Sequence, residues 1–226
     1  MAGKFHHEQI YRGADAVARL ANFRVTLCGA GALGSHLAEN LVRQGFRALR
    51  VIDRDRVEEH NIGTQIYHES DIGIWKAEVL RHRLFRAAGV EIGSITKEMS
   101  ERNVRSLVKE TDLVLDTFDN SASRRLVQEH CRAARLPCLH VGLFADYAEV
   151  VWDEHYRIPE DVDGDVCDYP LARNLVLLAV AVASETILRF VLEGTPQSWS
   201  ATLRDLAVRP LESALLPESR LGHDVD

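Results

Sequence analysis

The feature that most constrains this chain is a glycine pattern at one position. Gly29-Ala30-Gly31-Ala32-Leu33-Gly34 is G-x-G-x-x-G, set directly behind the apolar run Arg24 to Gly29 and ahead of the helical stretch Ser35 to Gln44. A strand that turns through glycines into a helix aims backbone N–H groups at a positive helix end, a cradle for phosphate. Asp53 lies 19 residues past Gly34 at the end of a second apolar run, Leu49 to Asp53. A carboxylate there can accept both hydroxyls of a ribose.

Apolar runs and helical stretches alternate through the rest of the chain, as in βαβ units on a mostly parallel sheet. Helices are expected at Ile74 to Ala88, Asn103 to Lys109 and Ser121 to Ala134, with Gly45 and Gly89 as stops. Strands are expected at Glu91 to Met99, Asp112 to Asp116 and Cys138 to Leu143, and Ala148 to Trp152 reads as an antiparallel or edge strand. His155 to Asp168 turns acidic and glycine-bearing, the pattern of a loop. Leu171 to Leu192 is the longest helical candidate, stopped at Gly194. The fold class is therefore α/β: a Rossmann-like, mostly parallel sheet with helices on both faces, a small antiparallel extension and a long C-terminal helix. Residues 1–22 read as a helical arm in which His6 and His7 lack fixed structure, and 23–194 as the main domain. Residues 195–226 read as an extension that binds a partner or is in part without fixed structure.

Composition removes several functions. Lys plus Arg is 27 against 34 for Asp plus Glu, a net charge of −7, the wrong sign for a general nucleic-acid binder. The most apolar stretch, Leu175 to Ala183, is about half of the ~20 residues a membrane span needs, so a core helix is expected and no membrane partner. The N-terminus has charges and histidines where a secretory signal needs an apolar segment. The four cysteines, Cys28, Cys131, Cys138 and Cys167, contain no C-x-x-C pair, so no zinc site is expected and reduced thiols fit a cytoplasmic location. The acidic run Asp161 to Asp165 lacks the glycine and glutamate register of a calcium loop. His130 and His140 read as structural.

The glycine loop and Asp53 by themselves suit NAD as well as ATP; the residues that follow separate the two. Asp53-Arg54-Asp55-Arg56-Val57 leads to Asn61-Ile62-Gly63-Thr64-Gln65, then Asp71-Ile72-Gly73 precedes Lys76-Ala77, and Asp116-Thr117-Phe118-Asp119-Asn120 precedes Arg124. In this order the chain resembles the ThiF/MoeB/HesA family of adenylating enzymes, whose domain also occurs in ubiquitin-activating enzymes. The resemblance is specific from Gly29 to Arg124 and looser to Gly194. It implies ATP and Mg²⁺, adenylation of a carboxylate with release of pyrophosphate, and a homodimer. The carboxylate it implies is the C-terminal Gly-Gly of a ubiquitin-like or sulfur-carrier protein.

By that resemblance Gly29, Gly31, Ala32, Gly34, Asp53 and Asp55 bind the nucleotide, and Asn61, Gln65 and Asn120 add neutral contacts. Lys76 is the phosphate cation, Asp119 the ligand of the magnesium ion, and Arg12 the arginine brought across a dimer interface. Such a reaction must neutralise phosphate charge and hold the α-phosphorus in line for attack. Taken singly, Lys76 is more often a solvated helix lysine and Asp119-Asn120 more often a helix cap, and Asn61 can serve as a turn residue. Thr64 departs from the family pattern, which has arginine before the glutamine. Cys167, just ahead of Pro170 and the long helix, matches the cysteine of thioester-forming members. A helix N-terminus lowers a thiol pKa, Asp165 and Asp168 oppose that, and the alternative is an inert cysteine. Other readings stay open: adenylation of a peptide, amino acid or tRNA-linked carboxylate, an NAD-dependent oxidoreductase, or a non-catalytic nucleotide-binding module.

Overall fold

A computed structural model describes residues 3–159 and 170–211. Two short helices, α1 (His6–Arg12) and α2 (Ala14–Asn22), lead into β1 (Val25–Cys28), α3 (Ala32–Gln44) and β2 (Leu49–Ile52). Then follow α4 (Lys76–Ala88), β3 (Gly93–Ile95), α5 (Val104–Leu107), β4 (Leu113–Asp116) and α6 (Ser121–Ala134). β5 (Cys138–Phe144) and β6 (Tyr147–Trp152) form a hairpin, and α7 (Arg173–Glu193) precedes β7 (Trp199–Thr202) and β8 (Ala207–Pro210).

The strands make one sheet in the order β3-β2-β1-β4-β5-β6-β7-β8. The first five are parallel and the last three join antiparallel. Strand alternation sorts the core: Val25, Leu27, Leu113, Leu115, Leu139 and Val141 face the layer of α3, α4 and α7. Cys28, Val114 and Cys138 face the smaller layer of α5 and α6 with Val104, Leu107 and Val127. The chain runs outward from β1 to β3 and returns to lay β4 on the other side of β1. That reversal opens a crevice beyond the carboxyl ends of β1 and β4, where open α/β sheets bind ligands.

Local sequence explains most element ends. Gly45, Gly89 and Gly194 stop α3, α4 and α7 with φ of +120°, +65° and +73°, a region glycine enters without steric cost. α7 is long and apolar enough to cross a membrane, but 56% of its apolar window is buried inside the protein, where Leu175, Ala179, Ala183 and Ile187 pack on the sheet.

Two expectations are corrected. His6 and His7 open α1 rather than lacking fixed structure. The third strand is only Gly93–Ile95, not the longer Glu91 to Met99 run. After residue 195, where periodicity is weak, two four-residue strands extend the sheet. They are too short to show a pattern, although Trp199 and Ala201 do alternate toward the core. Pro210 sits in the outermost strand, where a missing N–H costs no ladder bond.

Candidate functional site

The glycine loop occupies the crevice. Gly29 has φ +97°, and a Cβ added at Gly34 would sit 2.1 Å from the Gly29 carbonyl oxygen, so both glycines are demanded by the protein's own packing. Gly31 differs: a Cβ there meets nothing within 4 Å, so its open side is available to a ligand backbone. Behind Gly31, α3 begins at Ala32 with no side-chain cap and no acid in its first turn. Its leading N–H groups and positive dipole end are thus not matched by a protein carboxylate. The loop is braced on both flanks. The Thr117 hydroxyl lies 3.0 Å from the Cys28 carbonyl and 3.1 Å from that of Gly29, and the Tyr67 hydroxyl donates to the Ala30 carbonyl at 2.7 Å.

Asp53 follows β2 and is 6% exposed. Its Oδ2 accepts from the Ala30 N–H and its Oδ1 from the Asp55 N–H, both at 2.7 Å. Each oxygen keeps a second lone pair for a ligand hydroxyl. Burial pushes its pKa up to about 6, against the opposing charge of Lys76. Lys76, the first residue of α4, is 8% exposed. Its N–H donates to the Asp55 carbonyl at 2.9 Å and its Nζ lies 3.6 Å from Asp55 Oδ2. A lysine this buried differs from a solvated helix lysine, since solvent screens its charge less.

In the segment 61–65 the side chains divide. Asn61 is buried and its Oδ1 accepts from the Glu58 N–H at 2.9 Å, so that atom shapes the local turn. Gln65 Oε1 is buried with no hydrogen-bond partner, an acceptor left over for a donor from outside the chain. The Thr64 carbonyl lies 3.0 Å from Nε2 of His36 on α3.

At the end of β4 the Asp-Asn pair also divides. Asn120 caps α6, its Oδ1 accepting from the Ser123 N–H at 2.9 Å. Asp119 is exposed, with Asn120 Nδ2 3.3 Å from its Oδ1. A hard carboxylate oxygen presented at the strand's carboxyl end suits Mg²⁺. Its turn is set by Asp116, whose Oδ1 accepts from the Phe118 N–H at 3.1 Å. Asp116 Oδ2 lies 2.8 Å from Nδ1 of the buried His140, and His140 Nε2 lies 3.2 Å from Asp153. Burial alone would push the His140 pKa down, but the bonds to Asp116 and Asp153 raise it overall. Arg124 completes the cluster, donating to the Tyr156 hydroxyl at 2.7 Å and to the Val141 carbonyl at 3.1 Å.

The structure therefore gathers Gly29, Gly31, Ala32, Gly34, Asp53, Asp55 and Lys76 around one loop. Asn61 and Gln65 lie in the adjoining segment, and Asp119 and Asn120 at the neighbouring strand end. It does not bring Arg12 to them: on α1, that guanidinium is 2.8 Å from Glu8 and 2.7 Å from Glu185 of α7. Cys167 lies outside the described residues. Sequence reasoning missed His36, Tyr67, Thr117 and Arg173 as site neighbours. His36, two residues past Gly34, and Thr117, inside the motif from Asp116 to Asn120, carried a positional signal; Tyr67 and Arg173 did not.

Comparison with known proteins gives the family and the fold. Relatives include the Bacillus subtilis "Sulfur carrier protein ThiS adenylyltransferase", 28% identical over 153 residues, 65% of this chain and 46% of that protein. The Haloferax volcanii "SAMP-activating enzyme E1" is 31% identical over 135 residues, 58% of this chain and 50% of that one. The chain thus spans about half the length of these curated relatives. Among solved structures, E. coli MccB with ATP superposes with a TM-score of 0.77 at 18% identity, covering 93% of this chain and 72% of MccB, a likeness of fold. The ThiF family model matches residues 6–155, and the chain belongs to the ThiF family.

Proposed function

We propose that this protein adenylates a carboxylate with ATP, and that its acyl substrate is the C-terminal glycine of a sulfur-carrier or ubiquitin-like protein. The observation that supports it most directly is the pairing of an uncapped α3 N-terminus behind an open Gly31 with the near-buried Lys76. Together these supply N–H donors and a cation for polyphosphate. The names of the B. subtilis and H. volcanii relatives support the choice of acyl partner.

In the proposed reaction one substrate carboxylate oxygen attacks the α-phosphorus, the bond to the bridging oxygen of the β-phosphate breaks, and acyl-AMP and pyrophosphate result. Asp53 fixes the loop through the Ala30 N–H and offers its remaining lone pairs to the ribose. Lys76 offsets charge on the phosphates, and the donors at the start of α3 orient them. Asp119 would hold Mg²⁺, which neutralises phosphate oxygens when bound. Residues 23–194 form the adenylation domain in this reading, acting as a homodimer in the cytoplasm. The free, buried Cys28, Cys131 and Cys138 support the compartment. A following step, attack of the Cys167 thiolate on the acyl carbon with AMP leaving, belongs to the same proposal.

The test is calorimetric titration with ATP plus Mg²⁺ and, separately, NAD⁺, followed by ATP–pyrophosphate exchange with a Gly-Gly-ending carrier. Binding of ATP and carrier-dependent exchange are expected. Binding of NAD⁺ without ATP would overturn the reading in favour of an oxidoreductase, and exchange driven only by a peptide or amino acid would replace the carrier.

A further inference from the structure

The side chains placed around the loop are short of positive charge. Lys76 stands against Asp53 and Asp55, and Asp55 is its direct ion-pair partner. A nucleotide triphosphate is itself a polyanion, so one lysine, helix dipole and bound Mg²⁺ leave much of its charge unmatched. A further cation enters this corner from a distant part of the sequence. Arg173 is the first residue of α7 and is exposed. Its Nη1 lies 3.3 Å from the Gly63 carbonyl and 3.4 Å from His36 Nε2, and among the described residues it has no carboxylate partner.

Three segments meet there: the first turns of α3 through His36, the 63–64 backbone, and the start of α7. The α7 start is pinned by the bridge between Leu171 and Ala145 at the tip of the β5–β6 hairpin. His36 lies one turn, roughly 5.4 Å of rise, beyond Ala32. An arginine stem can therefore swing its guanidinium from Gly63 toward the α3 N-terminus. Little holds it back, because both contacts are longer than a good N–H···O bond. The imidazole does not compete for its role. His36 sits 3.0 Å from the Thr64 carbonyl, which requires Nε2 to donate there, and burial together with the Arg173 charge keeps the ring on the neutral side.

We infer that Arg173 is a phosphate-binding residue of this site, supplying from the start of α7 the second cation that the strand-end residues lack. The inference rests on the ATP reading above. Its ligand is the polyphosphate rather than the nucleoside.

The experiment is calorimetry on the full chain, wild type against Arg173→Ala and Arg173→Lys, with Mg·ATP and with adenosine as probes, plus thermal melting without ligand. The expected result is a loss of Mg·ATP affinity of roughly tenfold in R173A, partly restored in R173K, with adenosine binding and melting unchanged. Equal loss for adenosine and ATP would show a structural role and overturn the inference, as would wild-type affinity in R173A. No binding of ATP by the wild type would overturn the nucleotide reading itself, so the two failures are distinct.

Discussion

Asp53 grips the glycine loop at the Ala30 N–H, 2.7 Å away, and so ties the end of β2 to the turn after β1. The bond places a carboxylate where two parallel strands finish, yet removes it from water, and burial is the reason its pKa rises to about 6. Ionised Asp53 holds the loop and complements Lys76; protonated, it loses its charge and turns one acceptor site into an O–H donor. Nucleotide affinity should therefore be constant above neutrality and fall as pH drops through about 6. Calorimetry between acid and neutral pH checks this. Asp53→Asn should weaken binding at neutral pH and flatten the pH dependence.

Gly34 and Gly31 should separate fold from function. Gly34→Ala forces a Cβ to 2.1 Å from the Gly29 carbonyl oxygen, a backbone atom, and should cost about 3 kcal/mol as overpacking. Gly31→Ala meets open space at an ordinary φ of −75°. It should melt with the wild type while losing affinity for ATP. A Gly31→Ala protein that melts early and binds normally would contradict the placement of the ligand against this residue.

Asp119 and Asn120 are adjacent but do different work. Asn120→Ala removes the α6 cap and should lower stability by about 1 kcal/mol, read by chemical denaturation, with Mg²⁺-dependent ATP binding retained. Asp119→Ala should leave the denaturation midpoint unchanged and reduce Mg²⁺-dependent binding and pyrophosphate exchange.

His140 joins Asp116 to Asp153 with no exposure of its own ring. Burial opposes the charged ring, but its two carboxylate bonds leave its folded pKa raised. A histidine with a raised folded pKa contributes stability that is fully present below its unfolded value, ~6.5, and is lost as pH rises through the folded value. Wild-type stability should show that decline above pH ~6.5. His140→Leu should remove that decline and cost roughly 1–3 kcal/mol for the lost buried hydrogen bond, because Asp116 keeps the Arg124 guanidinium 3.7 Å away and the Phe118 N–H. Denaturation midpoints across this pH range test both.

Much of this could be read from short stretches of chain. The strand, glycine turn and helix at 25–44, the glycine stops at 45, 89 and 194, and the α6 helix from Ser121 to Ala134 follow from neighbouring residues and their spacing. So does the family membership, since Asp53, Lys76 and Asp119 lie in ordered motifs. Motif spacing did not show which member of a pair is engaged. Asn61 and Asn120 direct side-chain oxygens to their own backbone, whereas Gln65 keeps a buried acceptor free.

What the sequence by itself determined was the run of elements from β1 to α7 and the chemistry available at the strand ends, because backbone preference and hydrophobic period act over a few residues. Tertiary structure alone decided which distant groups meet. The return of β4 beside β1 brings Thr117 against Gly29. Parallel pairing of β4 with β5 sets His140 beside Asp116. The packing of α7 carries Arg173 to Gly63 across 110 residues of chain. Such contacts follow from how layers stack on a shared sheet, a property of the whole core rather than of any local window.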